Sequence, residues 1–297
     1  MENQDFCNYK FDLETWTSDF LFPRAVLEFE DEVFGRNSIC GPTDICVNEA
    51  LRKLMGEGFI DWGASVPVDI FIWSLGEPVN RFATKSGGLP YRSIDLPWPS
   101  THLGSPMSLL GQINFSDSKD IVGRLPGDLL LIFGDFRDNE GSYEFFLEWQ
   151  TFGLTNLVEK VPAGVFFVEP CYGSILRRNA FPNAKLIDEY QEPLTIEGKR
   201  IRFWQELLEY PATQIGNAPP FIQMDDENQF PGKPLCRVST INPLLSSSLG
   251  FPFPFINVAD GSVYDSISNS YLTIGDLGAI DVFIDENGQV VAGESCF

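Results

Sequence analysis

Thr84-Lys85-Ser86-Gly87-Gly88-Leu89-Pro90-Tyr91 is the stretch on which the fold turns, because the chain repeats its pattern as Thr213-Gln214-Ile215-Gly216-Asn217-Ala218-Pro219-Pro220, an offset of 129. A second pair follows. Gly104-Ser105-Pro106-Met107 through Ile113-Asn114 matches Gly232-Lys233-Pro234-Leu235 through Ile241-Asn242, at an offset of 128. Each half then presents a glycine-led apolar run, Gly127 to Phe133 and Gly278 to Ile284. Two separate motifs at nearly one spacing mark an internal duplication. The chemistry of the first motif is that of a tight turn, with Gly free to take positive φ and Pro fixing φ shortly after. The Gly-x-Pro segments lead into strands in which Leu109 or Val238, and Ile113 or Ile241, share faces, and which Asn114 and Asn242 close. Two such β-rich units can pack face to face or share one sheet, burying apolar sides that neither hides alone.

Working outward, residues 1–77 have a different texture and read as an α/β extension. Val26-Leu27-Glu28-Phe29-Glu30 alternates like a half-buried strand. Gly41-Pro42-Thr43-Asp44 supplies a turn and a helix start, and Val47, Leu51, Leu54 and Met55 fall at helical spacing ahead of Gly56. The spacing predicts a helix over residues 44–55 and a strand over Val68 to Trp73. At the other end, Asp285-Glu286-Asn287-Gly288 reads as a hairpin turn with Gln289-Val290-Val291 as its return strand. The expected fold class is therefore α+β and β-rich: a duplicated unit over 78–297, with repeats at about 78–150 and 211–297, behind an N-terminal α/β extension over 1–77.

Composition sets the bounds. Hydrophobic residues are 43% of the chain and Phe alone numbers 26, enough for a packed core. The 21 Pro and 26 Gly are scattered, which favours short elements over long helices. No apolar run approaches the roughly 18 residues needed to span a bilayer, so no membrane contact is expected. Met1-Glu2-Asn3-Gln4-Asp5 has neither a basic start nor an apolar stretch behind it, and the expected location is the cytoplasm. Cys7, Cys40, Cys46, Cys171, Cys236 and Cys296 include no Cys-x-x-Cys pair, and reduced thiols suit that compartment. Cys40 and Cys46 are the first pair to test for a disulfide. The formal charge is −22, with the excess carried mostly by the two ends. Such a field repels phosphate backbones, which excludes nucleic acid as a natural partner, and steers basic proteins inward.

The stretch from about residue 80 to 297 resembles the YwqG-like family, bacterial proteins largely of unknown function. The likeness rests on Lys85 to Tyr91, Trp98-Pro99, Pro106 to Asn114, Pro219-Pro220-Phe221-Ile222-Gln223, and Gly275 to Ile284. Asn217 and Ala218 stand where that family often has Gly and a bulky residue, so the second repeat is the more diverged. The resemblance implies an internally duplicated, β-rich α+β fold and transfers no catalytic residue. Members resembling this chain occur near secreted polymorphic toxins, which implies an immunity or antitoxin role.

Sites of chemistry are sparse. His102 is the sole histidine, so a Ser-His-Asp or Cys-His mechanism would have to use it, and it sits between turn signals in Pro99-Ser100-Thr101-His102-Leu103-Gly104. Cysteines and carboxylates lack zinc or calcium-loop spacing, and no phosphate loop is present; no metal and no cofactor is expected. What remains is a surface for a basic protein partner. Glu28, Glu30, Asp31 and Glu32, with Asp225, Asp226 and Glu227, supply charge for encounter, and Tyr91 and Trp98 supply anchoring rings. The competing reading is a small-ligand site or an active site in a groove between the two repeats.

Overall fold

The computed structural model describes residues 7–10, 27–31, 35–39, 60–61, 63–135, 144–180, 185–186, 195–196, 199–203, 213–216, 232–241, 272–274 and 278–295. Its strands, in chain order, are β1 (Tyr9–Lys10), β2 (Leu27–Asp31), β3 (Gly35–Ile39), β4 (Ile60–Asp61), β5 (Val66–Leu75), β6 (Lys85–Ser86), β7 (Ser108–Asn114), β8 (Leu129–Gly134), β9 (Phe145–Gln150), β10 (Cys171–Ala180), β11 (Lys185–Leu186), β12 (Thr195–Ile196), β13 (Lys199–Phe203), β14 (Gln214–Ile215), β15 (Lys233–Ser239), β16 (Ala279–Ile284) and β17 (Val290–Ser295). Eleven of them form one sheet, in the order β17-β16-β15-β14-β5-β10-β6-β7-β8-β9, with β1 added to β10. Every pairing in it is antiparallel except β1 with β10.

The sheet curls until it nearly closes, bringing its outer strands β9 and β17 into contact. Phe145, Leu147 and Trp149 of β9, with Val290 and Ala292 of β17, pack on one core that also holds Phe71, Trp73, Leu110, Ile113, Leu130, Ile132, Val238 and Val282. The outer side of β7 and β8 is covered as well: Leu109, Leu131 and Phe133 lie under Met107 and Trp98. A strand buried on both faces needs apolar residues at almost every position, and Leu129-Leu130-Leu131-Ile132-Phe133 is such a strand.

The order of the sheet reads the same from either end. β5 heads the first half and β10 the second, and these long strands pair with each other in the middle. Each then pairs with the other half's motif strand, β5 with β14 and β10 with β6. The two repeats have thus exchanged their leading strands. The hydrogen bonds come in twins. Gly173 N–H donates to the Thr84 carbonyl and Phe71 N–H to the Thr213 carbonyl, both at 3.0 Å. The Thr84 hydroxyl accepts from Asn114 N–H at 3.0 Å, and the Thr213 hydroxyl from Ser239 N–H at 3.1 Å. Phe115 N–H donates to the Asp128 carbonyl and Thr240 N–H to the Gly278 carbonyl, again both at 3.0 Å. Thr84 and Thr213 therefore occupy equivalent places. The strand after them is in a different register from the one the Gly-x-Pro landmarks suggest: Asn114 corresponds to Ser239, three residues short of Asn242.

The expected α+β class is corrected by this architecture. The described residues are nearly all β, with no helix of seven or more residues among them. The helix found there, Lys119–Val122, is a single turn. Short apolar runs cut by Gly and Pro favour strands and tight turns, and the described parts of residues 1–77 are strands as well. β1 and β5, from before residue 78, are members of the main sheet. The helix expected over residues 44–55, and Cys40 and Cys46, lie outside the described residues. The strand expected at Val68 to Trp73 forms within β5, and the Asp285–Gly288 turn joins β16 to β17, with Gly288 at φ +82° and Asp285 N–H donating to the Gln289 carbonyl. Among the described residues no helix is long and apolar enough to cross a membrane.

Candidate functional site

The repeated motif builds a polar seam inside the sheet. Lys85 is fully buried, and its ammonium group meets the Glu77 carboxylate and the Leu89 carbonyl. Burial pulls its pKa down to about 8, against the opposing pull of Glu77. Gly87 and Gly88 follow at φ +65° and +69°, a conformation that side chains rarely take. A β-carbon on Gly87 would stand 2.8 Å from the Glu169 carbonyl oxygen, and one on Gly88 would stand 2.9 Å from Pro170 Cβ. The neighbouring strand supplies Gln112, whose amide oxygen accepts from Tyr91 N–H at 2.8 Å. Its amide nitrogen donates to the Arg81 and Ala83 carbonyls, both at 2.9 Å. The corresponding row of the second half is Gln214, Arg237 and Asp281. There Arg237 grips Asp281 through two bonds of 2.6 and 2.8 Å, with 4% and 0% of the side chains exposed. Each of these charges is answered by a neighbour inside the chain, so the seam holds the turns in place.

Among the described residues the exposed large apolar side chains are Val79, Ile94, Leu96, Leu103, Phe146, Phe166 and Phe167, and the last four belong to segments at the end of the sheet where β7 and β9 begin and β8 ends. A hairpin over residues 99–107 closes there through Met107 N–H to the Pro99 carbonyl and Thr101 N–H to the Ser105 carbonyl, and presents Leu103 near its tip. His102 fastens this hairpin to the start of β9. Its backbone N–H donates to Glu144 Oε2 at 2.9 Å, and its ring Nδ1 meets Glu144 Oε1. Two residues on, the ring of Phe146 lies tilted against Phe133 at 6.3 Å, and Trp98 meets Phe133 edge-on at 5.5 Å. The segment 162–168 crosses the same end, tied down by the Ser108 hydroxyl donating to the Phe166 carbonyl at 2.6 Å. Leu103, Phe146, Phe166 and Phe167 are 72%, 41%, 51% and 44% exposed. These four side chains form a rim of open apolar surface on an acidic chain.

The residues singled out from sequence fall in different places. Trp98 is on this rim, its indole N–H donating to the Met107 carbonyl at 2.8 Å. Tyr91 is 1% exposed, and its hydroxyl accepts from Leu154 N–H at 2.8 Å, so its ring serves the interior. Glu28, Glu30 and Asp31 lie on β2, whose register sets Glu28 opposite Arg202 and Glu30 opposite Arg200 of β13: an acidic strand against a basic one. Glu32, Asp225, Asp226 and Glu227 lie outside the described residues. His102 is an exposed loop residue held by a carboxylate. Where the two repeats meet, the β5–β10 ladder joins them, and Val68 to Ser74 in it are buried. Sequence reasoning passed over Leu103, Phe146, Phe166 and Phe167; only the adjacent pair Phe166-Phe167 in a Gly- and Pro-bounded stretch hinted at exposure.

Residues 84–288 match a family model described as Domain of unknown function (DUF1963). No curated protein matches the chain.

Proposed function

The chain belongs to the DUF1963 family, and on that footing we propose that it is a YwqG-like protein-binding member, a cytoplasmic immunity protein that neutralises a basic toxin. The observation that carries this reading is the rim of Leu103, Phe146, Phe166 and Phe167 on a chain of net charge −22. A negative field accelerates encounter with a basic partner, while apolar side chains that leave water supply the affinity. Covering the exposed half of one such ring is worth about 1 kcal/mol, and the group together supplies the affinity of an interface. Glu144 beside Phe146 gives the rim a fixed acceptor for a Lys or Arg.

The test is recovery of partners from the native host on the tagged chain, across a salt series. The expected outcome is a basic protein whose retention falls as ionic strength rises, and which Phe166→Ser and Phe146→Ser variants no longer hold. Retention indifferent to salt, or capture equal in those variants, overturns the reading.

A further inference from the structure

β10 is paired along its whole length with β5 on one side, but with β6 only at Cys171 and Tyr172 on the other. The free edge just beyond β6 is filled by β1, in parallel, with Tyr9 beside Ser174 and Lys10 beside Ile175. Two residues of ladder are too little to hold a strand. What holds it is Asn8, 5% exposed. Its side-chain oxygen accepts from Thr84 N–H at 2.9 Å, its amide donates to the Asn114 carbonyl at 3.0 Å, and its own N–H donates to Asp117 Oδ2 at 2.8 Å. Around it, Asn80 donates to the Cys7 carbonyl at 2.8 Å and to the Tyr9 hydroxyl at 3.1 Å, Tyr9 lies 5.0 Å from the Tyr172 ring, and Lys10 pairs with Asp117.

Thr84, Asn114, Asp117, Ser174 and Ile175 all lie within the stretch matched to the family, and the segment that occupies the slot does not. We propose that this slot is a strand-recognition site. It selects an extended peptide carrying Asn, then an aromatic residue, then a basic one, and Cys7–Lys10 is its resident occupant. The Asn is read by the Thr84 N–H and the Asn114 carbonyl, the aromatic ring by Tyr172, and the cation by Asp117. Main-chain bonds to β10 supply affinity without sequence preference, as in other cases of strand addition. A partner segment of the same pattern competes for the slot. This site is separate from the aromatic rim, and its fate does not depend on the toxin reading.

The experiment uses the full-length chain and a fluorescein-labelled synthetic peptide of residues 5–12 with serine at the Cys7 position. In the Asn8→Ala protein the resident strand is loosened, and anisotropy should show saturable one-to-one binding, at least tenfold tighter than to the unaltered protein. Replacing the peptide's Asn by Ala, or its Lys by Glu, should weaken binding at least tenfold. A folded Asn8→Ala protein that ignores the peptide, or that binds the Asn-replaced peptide equally well, overturns the proposal. If Asn8→Ala does not fold by itself, the readout becomes rescue: the peptide should restore a cooperative thermal transition that a scrambled peptide does not, and failure of both to do so also overturns it.

Discussion

At the scale of the residue, the charges buried in the sheet and the glycines beside Lys85 carry the sharpest expectations. Gly87→Ala and Gly88→Ala each force a side chain into left-handed backbone and into the chain of residues 168–170. Each should cost about 2 kcal/mol or more, seen as a lowered midpoint in urea. Arg237→Met leaves the Asp281 carboxylate buried without its cation and should cost about 3–5 kcal/mol. The double change Arg237→Met with Asp281→Leu should recover most of that loss, since a buried ion pair contributes little beyond a well-packed apolar one. Alkaline pH tests three more groups. Burial pushes the Cys171 and Cys236 thiols and the Tyr91 phenol up, so the folded chain keeps protons that the unfolded chain releases. That contribution is complete below the ordinary thiol range and drains away as pH climbs past about 8.5. Lys85 acts in the opposite sense. Lowered to about 8 from 10.5, it leaves the unfolded chain holding the extra proton between those values, and stability from this group rises across them. Two thiols outweigh one amine, so the melting temperature should fall from pH 8.5 to 10. A Cys171→Ala, Cys236→Ala protein should show a flatter or rising profile over the same range.

At the scale of the element, Thr84 and Thr213 make a matched pair. Each hydroxyl satisfies one backbone N–H, of Asn114 or of Ser239. Thr84→Val and Thr213→Val should each cost about 1–3 kcal/mol, the penalty for a buried donor left unmet. The two costs should be similar and should add, and unfolding of the double variant measures both. This equivalence was legible in the sequence, because a turn built on Thr, Gly and Pro leaves a pattern that survives divergence. The register of the following strand was not. Gly232-Lys233-Pro234 looks like Gly104-Ser105-Pro106, yet Pro106 closes a hairpin ahead of β7 while Pro234 sits inside β15 before a bulge. Landmarks that serve a loop in one half and a strand in the other mislead any alignment made on them. Leu103, Phe146, Phe166 and Phe167 were hidden for another reason: apolar residues in an apolar-rich chain carry no mark of which side of the wall they stand on. Asn8 was hidden because its partners are strands that meet only in the folded sheet.

At the scale of the whole molecule, the exchange of leading strands decides what can stand alone. Residues 1–160 contain β6 without β10 beside it, and residues 161–297 contain β14 without β5. Neither half should show a cooperative transition when expressed separately, and mixing them should restore one with the intact chain's circular dichroism. Halves that each melt cooperatively would refute the exchange. Loop closure over such separations is slow, because the ordering entropy is spent before the contact is made. On the ribosome the consequence is sharper: when Ile70 has emerged its neighbour Gln214 has not yet been synthesised. The nascent first half must therefore wait with an unzipped apolar flank, and the rate at which codons beyond residue 170 are read becomes part of how this protein avoids aggregating at birth.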